Sequence, residues 1–332
     1  MKTWLAALAV VALSLLSPAQ AQQPIVIKFS HVVAPETPKG KGASKFKELA
    51  EQYTDGRVKV DVYPNSQLYK DREEVDALQA GAVQMLAPSL AKFGPLGIKE
   101  FEVFDLPFIL PNKAALRRVT EGDLGKKLLK KLEAKGIVGL AYWDNGFKIM
   151  SANKALMMPE DFRGLKMRIQ FSKVLEAQMR ALGAIPQVVA FSEVYQAMQT
   201  GVVDGSENTP SNIYTQRHYE VQKFATLSDH GFLGYAVIAN KKFLDGLPAD
   251  VRGQLEKALA EATAYANDIA QAKNDEALAE MKKSGKITFI ELTPDQKAAW
   301  RKAVEPVYAD MAARVGKDTI EEVRKEAGVA TQ

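Results

Sequence analysis

The sequence predicts an α/β protein organised as two domains. Three observations carry that prediction. Stretches rich in β-branched residues alternate with amphipathic, helix-patterned stretches. The alternation begins again after Trp143, and 332 residues, 47% of them apolar, are too many for one ordinary core. Strand, helix, strand, helix in this order also predicts right-handed crossovers and mostly parallel sheets.

The first residues form no part of that alternation. Met1-Lys2-Thr3 is a short positive start, Trp4 to Leu16 is an almost unbroken apolar run, and Ser17-Pro18-Ala19-Gln20-Ala21 has the small-residue pattern of a cleavage site. Residues 1–21 therefore read as a signal peptide cut after Ala21. The apolar run is shorter than the ~20 residues of a spanning helix, and no Cys follows it to carry a lipid. No later stretch is long enough to cross a bilayer. With no cysteine in the chain, stability in an oxidising compartment rests on burial, and thiol catalysis and Cys metal sites are excluded.

Ile25 to Ser30 is the first strand pattern, ending in a loop that holds Pro35 and Pro38, and a helix follows over Lys41 to Tyr53. Val58 to Pro64 alternates cleanly as a strand, Asp71 to Ala80 is a helix ended by Gly81, and Val83 to Pro88 and Ile137 to Trp143 are short apolar strands. Past Trp143, Lys148 to Ser151, Leu165 to Ile169 and Ile185 to Val189 read as strands, separated by helices over Ser172 to Leu182 and Ser192 to Thr200. The second of these helices opens with Ser192 and Glu193 and is closed by Gly201. Tyr235 to Ala239 comes late enough to return to the first sheet. Long amphipathic helices run over Pro248 to Ser284 and Pro294 to Val315 without sustained heptads, so they read as packed surface helices. No low-complexity linker interrupts the chain, and the domains are expected to be joined by strand crossings.

The net charge of +4 is spread over many acids and bases and offers no basic face for nucleic acid. The local clusters are Lys39-Gly40-Lys41 and residues 125–131, the second reading as a solvated helix face. Enzyme signatures are missing. There is no G-x-S-x-G and no P-loop or dinucleotide fingerprint, and His31, His218 and His230 lack metal-ligand spacing. No cofactor and no metal site is expected.

The segment from Trp143 to Asn208 is the most informative. Lys148 closes Trp143-Asp144-Asn145-Gly146-Phe147-Lys148, Arg168 lies inside Gly164-Leu165-Lys166-Met167-Arg168-Ile169-Gln170, and Asn208 ends Val203-Asp204-Gly205-Ser206-Glu207-Asn208. A lysine, an arginine and an amide set in strand-like or turn-like stretches, not on a solvated helix, are donors suited to an anion such as a carboxylate. His31 adds itself from a strand C-terminal end, where open α/β sheets place ligands, with a capping role as the alternative.

Together with Phe29-Ser30-His31-Val32-Val33, Tyr63-Pro64-Asn65-Ser66-Gln67-Leu68, Asp105-Leu106-Pro107-Phe108 and Ala190-Phe191-Ser192-Glu193-Val194-Tyr195-Gln196-Ala197, these motifs resemble the extracytoplasmic solute receptors of TRAP transporters, and most closely the DctP subfamily for C4-dicarboxylates. The resemblance covers residues 25–320 or so. It implies a two-lobed periplasmic binding protein fold of type II-like form, with hinge strands and a long helix spanning both lobes. Lobe I would comprise residues 22–146 with about 234–273, and lobe II 147–233 with about 274–332.

The resemblance further implies a monomeric periplasmic receptor that delivers its ligand to a small and a large membrane subunit. Arg168 would form a salt bridge to a ligand carboxylate, for which its planar fork is suited. Asn208 would contact the same group, Phe191 would pack on the ligand or staple to the core, and Ser89 would reach in from the first lobe. Lys148 stands where sialic-acid receptors of the family carry a second Arg, and two cations for two carboxylates is the simplest reading. Asp71 and Tyr235 are further candidates, the first also a possible helix cap and the second also a core residue. The alternatives are a receptor for an aromatic or keto acid, or a periplasmic sensor lobe of the same fold.

Overall fold

The computed structural model describes residues 23–329, and the stretch read as a signal peptide, residues 1–21, lies outside the described residues. The chain opens with β1 (Ile25–Ser30), α1 (Pro38–Tyr53), β2 (Val58–Tyr63), α2 (Glu74–Gln79) and β3 (Met85–Leu86), then α3 (Lys113–Glu121), α4 (Asp123–Lys131) and the long β4 (Ile137–Phe147). After Lys148 come β5 (Ile149–Ala152), β6 (Lys166–Ile169), α5 (Lys173–Ala181), β7 (Ile185–Val188), α6 (Val194–Gln199), β8 (Gly205–Asn208), α7 (Pro210–Thr215) and β9 (Phe224–Leu227). The remainder holds β10 (Phe232–Asn240), α8 (Lys241–Asp245), α9 (Ala249–Ser284), β11 (Thr288–Glu291), α10 (Pro294–Val304), α11 (Pro306–Val315) and α12 (Lys317–Ala327).

Two sheets result, in the orders β2-β1-β3-β10-β4 and β11-β9-β5-β8-β6-β7. As expected, the late strand β10 returns to the first sheet. The sheets are mixed, however, not mostly parallel. Every antiparallel pair involves β10 or β5, against β3 and β4 in one sheet and β8 and β9 in the other. These strands carry the chain directly from sheet to sheet, and without a crossover helix nothing imposes parallel pairing.

Each sheet has its own apolar support. Ile27 and Phe29 of β1 and Val58 and Val60 of β2 pack with Phe46 of α1 and Trp143 of β4. The 36 residues of α9 extend about 54 Å and join both halves. Its Ala258, Ala262 and Ala266 belong to that first core, while Met281 packs with Ile149 and Ala225 of the second sheet. Two buried asparagines fasten the helix to the crossing strand. Asn267 accepts from the Asp144 amide at 2.8 Å and donates to the Tyr142 carbonyl, and Asn274 donates to the Asn145 carbonyl at 2.6 Å and accepts from the Ser211 amide at 3.0 Å.

Helix boundaries depart from the sequence reading at several places, α2 among them, which begins at Glu74 and not at Asp71. α1 starts at Pro38, because Thr37 caps it and Pro is tolerated in the first turn. Ser192 caps nothing: a 3-10 turn at Phe191–Glu193 precedes α6. The helix expected over Pro294 to Val315 is two helices, since Pro306 lacks the amide hydrogen needed to continue the first. The cluster at 125–131 is the expected helix face, with Leu124 and Leu128 buried beneath exposed lysines. Of the C-terminal helices, α10 stays with the second half, its Trp300 donating to the Met157 carbonyl at 2.9 Å, whereas α11 and α12 reach back to the first. Arg314 pairs with Glu102, and Arg118 of α3 donates to the Glu326 and Ala327 carbonyls at 2.7 and 2.8 Å.

Candidate ligand-binding site

The carboxyl ends of parallel strands in both sheets converge on one cavity. From the second sheet, Arg168 of β6 stands in register with Ser206 of β8. Side chains alternate along a strand, so Asn208 shares the face of Arg168 and Ser206, while Met167 and Ile169 turn into the core. Arg168 is 1% exposed; its Nε donates to the Val189 carbonyl at 3.0 Å, and its Nη2 is buried with no protein partner. The Asn208 oxygen accepts from the Thr209 amide and from Asn212 Nδ2, both at 2.9 Å, which leaves its own amide nitrogen to donate.

The first half supplies the facing wall. Lys39, in the first turn of α1, is 1% exposed; its Nζ donates to the Ala87 carbonyl at 2.9 Å and lies 3.7 Å above the Tyr235 ring. Lys92 pairs with Asp71 at 2.7 Å, both nearly buried. The Tyr235 hydroxyl accepts from Asn145 Nδ2 at 2.7 Å. Glu74 of α2 also lines the cavity, 1% exposed, with neither carboxyl oxygen hydrogen-bonded.

Several contacts hold the walls together, among them a 3.5 Å hydrogen bond from Asn212 Nδ2 to the Tyr235 hydroxyl. Ser89 Oγ donates to Gln170 Oε1 at 2.5 Å, the Phe191 amide donates to Asp71 at 3.3 Å, and Lys70 pairs with Glu193 at 2.6 Å on the outside. The Arg168 guanidinium sits 5.9 Å from the Phe191 ring centre.

The structure thus gathers Arg168, Asn208, Phe191, Ser89, Tyr235 and Asp71 around one cavity. Asp71 caps no helix, because α2 begins three residues later.

Lys148 and His31 do not line this cavity. Lys148 lies in the crossing between β4 and β5, 1% exposed, with its Nζ 2.8 Å from Glu207. Glu207 also meets His230 Nε2 at 2.9 Å, and His230 Nδ1 meets Ser228 Oγ at 2.7 Å. Strand alternation explains the arrangement: Asn208 faces the cavity, so Glu207 faces the opposite side and captures the lysine. His31 is fully buried behind the wall, and neither ring nitrogen has a partner.

Sequence reading missed Lys39, Glu74, Lys92, Gln170 and Asn212, which also line the cavity. For Lys39 a signal existed, since a cation in the first turn of a helix opposes the helix dipole and such a local conflict marks function.

Burial dominates the electrostatics. It draws Lys39 down to about 7 and Glu74 up to about 7, each partly offset by the other's charge. Burial also disfavours the Asp71 anion, but Lys92 and then Arg168 hold that carboxyl below its ordinary range. In the hinge, burial opposes the charge of Glu207, yet Lys148 and His230 bring it down to about 2. Among the described residues, no group of His, Asp and Glu is arranged to hold a metal ion, and no helix is long and apolar enough to cross a membrane.

Two α/β lobes joined by crossing strands and enclosing a polar, cationic cavity define a solute-binding protein, not an enzyme. The chain belongs to the DctP family, bacterial extracellular solute-binding protein family 7, which matches residues 29–315. It is 68% identical to the C4-dicarboxylate-binding periplasmic protein DctP of Rhodobacter capsulatus, over 94% of this chain and 93% of that one. The fold matches a TRAP periplasmic solute-binding protein of Shewanella oneidensis with bound succinate (TM-score 0.90, 45% identity, 92% and 99% of the two chains). It also matches one of Pseudomonas aeruginosa with bound L-malate (TM-score 0.84, 45% identity, 86% and 100%).

Proposed function

We propose that this chain is the solute receptor of a TRAP transporter, that it captures a C4-dicarboxylate such as succinate, malate or fumarate between its lobes, and that it delivers the ligand to a small and a large membrane subunit. One observation carries the reading of the site: a buried arginine with an unpartnered terminal nitrogen and two buried lysines line one cavity. In this reading Arg168 and Asn208 take one carboxylate. Lys39 takes the place first given to Lys148 and meets the other, Ser89 serves a ligand hydroxyl, and Phe191 and Tyr235 pack on the carbon chain. Asp71 holds Lys92 and the Phe191 amide in position. The succinate-bound and malate-bound neighbours and the name of the Rhodobacter relative support this choice of ligand.

The same reading makes residues 1–21 a signal peptide cleaved after Ala21, and the mature protein a periplasmic monomer. It divides the chain into residues 22–146 with about 234–273, and 147–233 with about 274–332, the last helices of the second unit also packing back on the first. Ligand bridges the lobes and the hinge closes, excluding water and strengthening each charge-assisted bond.

Calorimetry on Arg168→Ala tests the site. Loss of a buried partner to a charged ligand costs ~2–5 kcal/mol, so succinate affinity falls by orders of magnitude while the protein stays folded. Retained affinity refutes the role of Arg168. In a thermal-shift screen, C4 diacids raise the Tm; stabilisation by aromatic or keto monoacids alone refutes the dicarboxylate assignment.

A further inference from the structure

The charged residues lining the cavity are Lys39, Lys92 and Arg168 against Asp71 and Glu74. With all five ionised the wall carries one net positive charge, whereas a dicarboxylate brings two negative ones. The closed complex would then hold one uncompensated anion away from water, an expensive arrangement. Asp71 is committed to its charged form by Lys92 at 2.7 Å and by the Phe191 amide. Glu74 has no such commitment, since both its oxygens are buried and unbonded at the cavity wall. The groups around it are Lys39 from α1, Lys92 from the turn after β3, Asp71 from the turn before α2, Tyr235 from β10 and Arg168 from β6 across the cleft. On its own helix, Asp76 is exposed, as is Glu73 just before it.

We propose that Glu74 contacts the dicarboxylate as a neutral carboxylic acid, so that closing on the dianion takes up about one proton. The proton comes from solvent, resides on the Glu74 carboxyl as a hydrogen-bond donor to a ligand oxygen, and returns to solvent on release. With it the cavity and its ligand sum to zero charge. The Lys39–Glu74 pair is poised for this, because burial holds both groups at about 7. Whichever of the two lacks a proton beforehand gains one when the dianion arrives. This inference rests on the dicarboxylate reading above.

Succinate calorimetry in buffers of different ionisation enthalpy measures the proton count. The expected result is uptake of about one proton at about pH 7, rising toward two by about pH 8, with affinity falling about tenfold per pH unit near pH 7 and more steeply above it. The carboxyl carbon resonance of Glu74, in protein labelled with ¹³C-glutamate and assigned by its loss in Glu74→Gln, stays at the protonated position in the complex across that range. Glu74→Gln, a neutral donor of the same shape, takes up about one proton fewer than wild type at about pH 8 and shows a correspondingly shallower pH dependence of affinity, whereas Glu74→Ala loses at least about tenfold in affinity. Binding without proton uptake, or an ionised Glu74 resonance in the complex, overturns this inference alone. No binding of any C4 diacid overturns it together with the ligand assignment. The wild-type calorimetry needs no variant and decides the matter even if Glu74→Gln fails to fold.

Discussion

Lys148→Met separates a hinge role from a ligand role. The lysine and its partner Glu207 are 2% and 1% exposed at the side chain and 2.8 Å apart. Removing one partner of a buried ion pair leaves an unpaired charge and costs about 3–5 kcal/mol. His230, 2.9 Å from the other Glu207 oxygen, offsets part of this by protonating, because the nearby Lys148 charge no longer opposes it. The loss is therefore smaller at pH 6 than at pH 8. At roughly 2–4 °C per kcal/mol for a protein somewhat smaller than this one, the apo Tm at pH 8 falls by roughly 6–15 °C. Adding Glu207→Gln removes the stranded anion and restores a large part of the loss. Differential scanning calorimetry measures both variants, and titration of the folded protein finds succinate affinity within about tenfold of wild type. An unchanged Tm with affinity lowered by a hundredfold or more, about 2.7 kcal/mol, would return Lys148 to the ligand and refute the reasoning.

Acid stability follows from the buried groups. Burial, with a smaller contribution from a neighbouring cation, holds His31 and His218 down to about 3, so their stabilisation is lost as pH falls from about 6.5 to about 3. Burial raises Glu74 and Asp105 to about 7, which contributes the opposite slope between about 4 and about 7. Denaturant titration of the apo protein should show a plateau near pH 5–6 and steep loss below about pH 4, where Glu207 adds to the histidines; a monotonic decline from pH 7 would contradict this. Gly146→Ala places a side chain at φ +153° and a Cβ 2.7 Å from Asn274 Nδ2, and should lower stability by more than about 1 kcal/mol; an unchanged Tm argues against a tight clamp there. Ser89→Ala should weaken malate relative to succinate by roughly fivefold, about one hydrogen bond, and equal losses for the two would deny Ser89 the hydroxyl.

Much of this architecture is legible in local pattern, because strands such as β1 and β2 alternate and α9 keeps an apolar stripe. What local pattern misses depends on partners distant in the chain. Nothing near Lys148 reveals that Glu207 will meet it, and nothing near Trp143-Asp144-Asn145-Gly146-Phe147 reveals that Asn267 and Asn274 will grip its backbone. That motif reads as ligand machinery, and the structure shows its backbone held by the long helix α9. Lys39 is the opposite case, since it stands in a short basic cluster of the sequence and is buried against Tyr235. Pairing direction is missed for a related reason, since a strand that leaves one sheet for the other carries no local mark of doing so.

The closed cleft owes little to its own contacts. Ser89–Gln170 and Asp71–Phe191 are ordinary hydrogen bonds of about 0.5–1.5 kcal/mol each, and Lys70–Glu193 is half exposed and screened. Against them stand Arg168 Nη2, Asn212 Oδ1 and the Glu74 carboxyl, buried without protein partners, at about 1–3 kcal/mol each and more where charge is involved. Closure by the protein alone is therefore unfavourable or near balance. A ligand that partners those groups supplies the missing term and shifts the population toward the closed form. The lobes can open cheaply because the buried hinge network of Lys148, Glu207 and His230 is kept separate from the cleft by the alternation of Glu207 and Asn208 along β8. Ligand exchange then leaves the hinge charges paired, and the same residue pair that misleads a reading of the sequence keeps opening from exposing a buried ion.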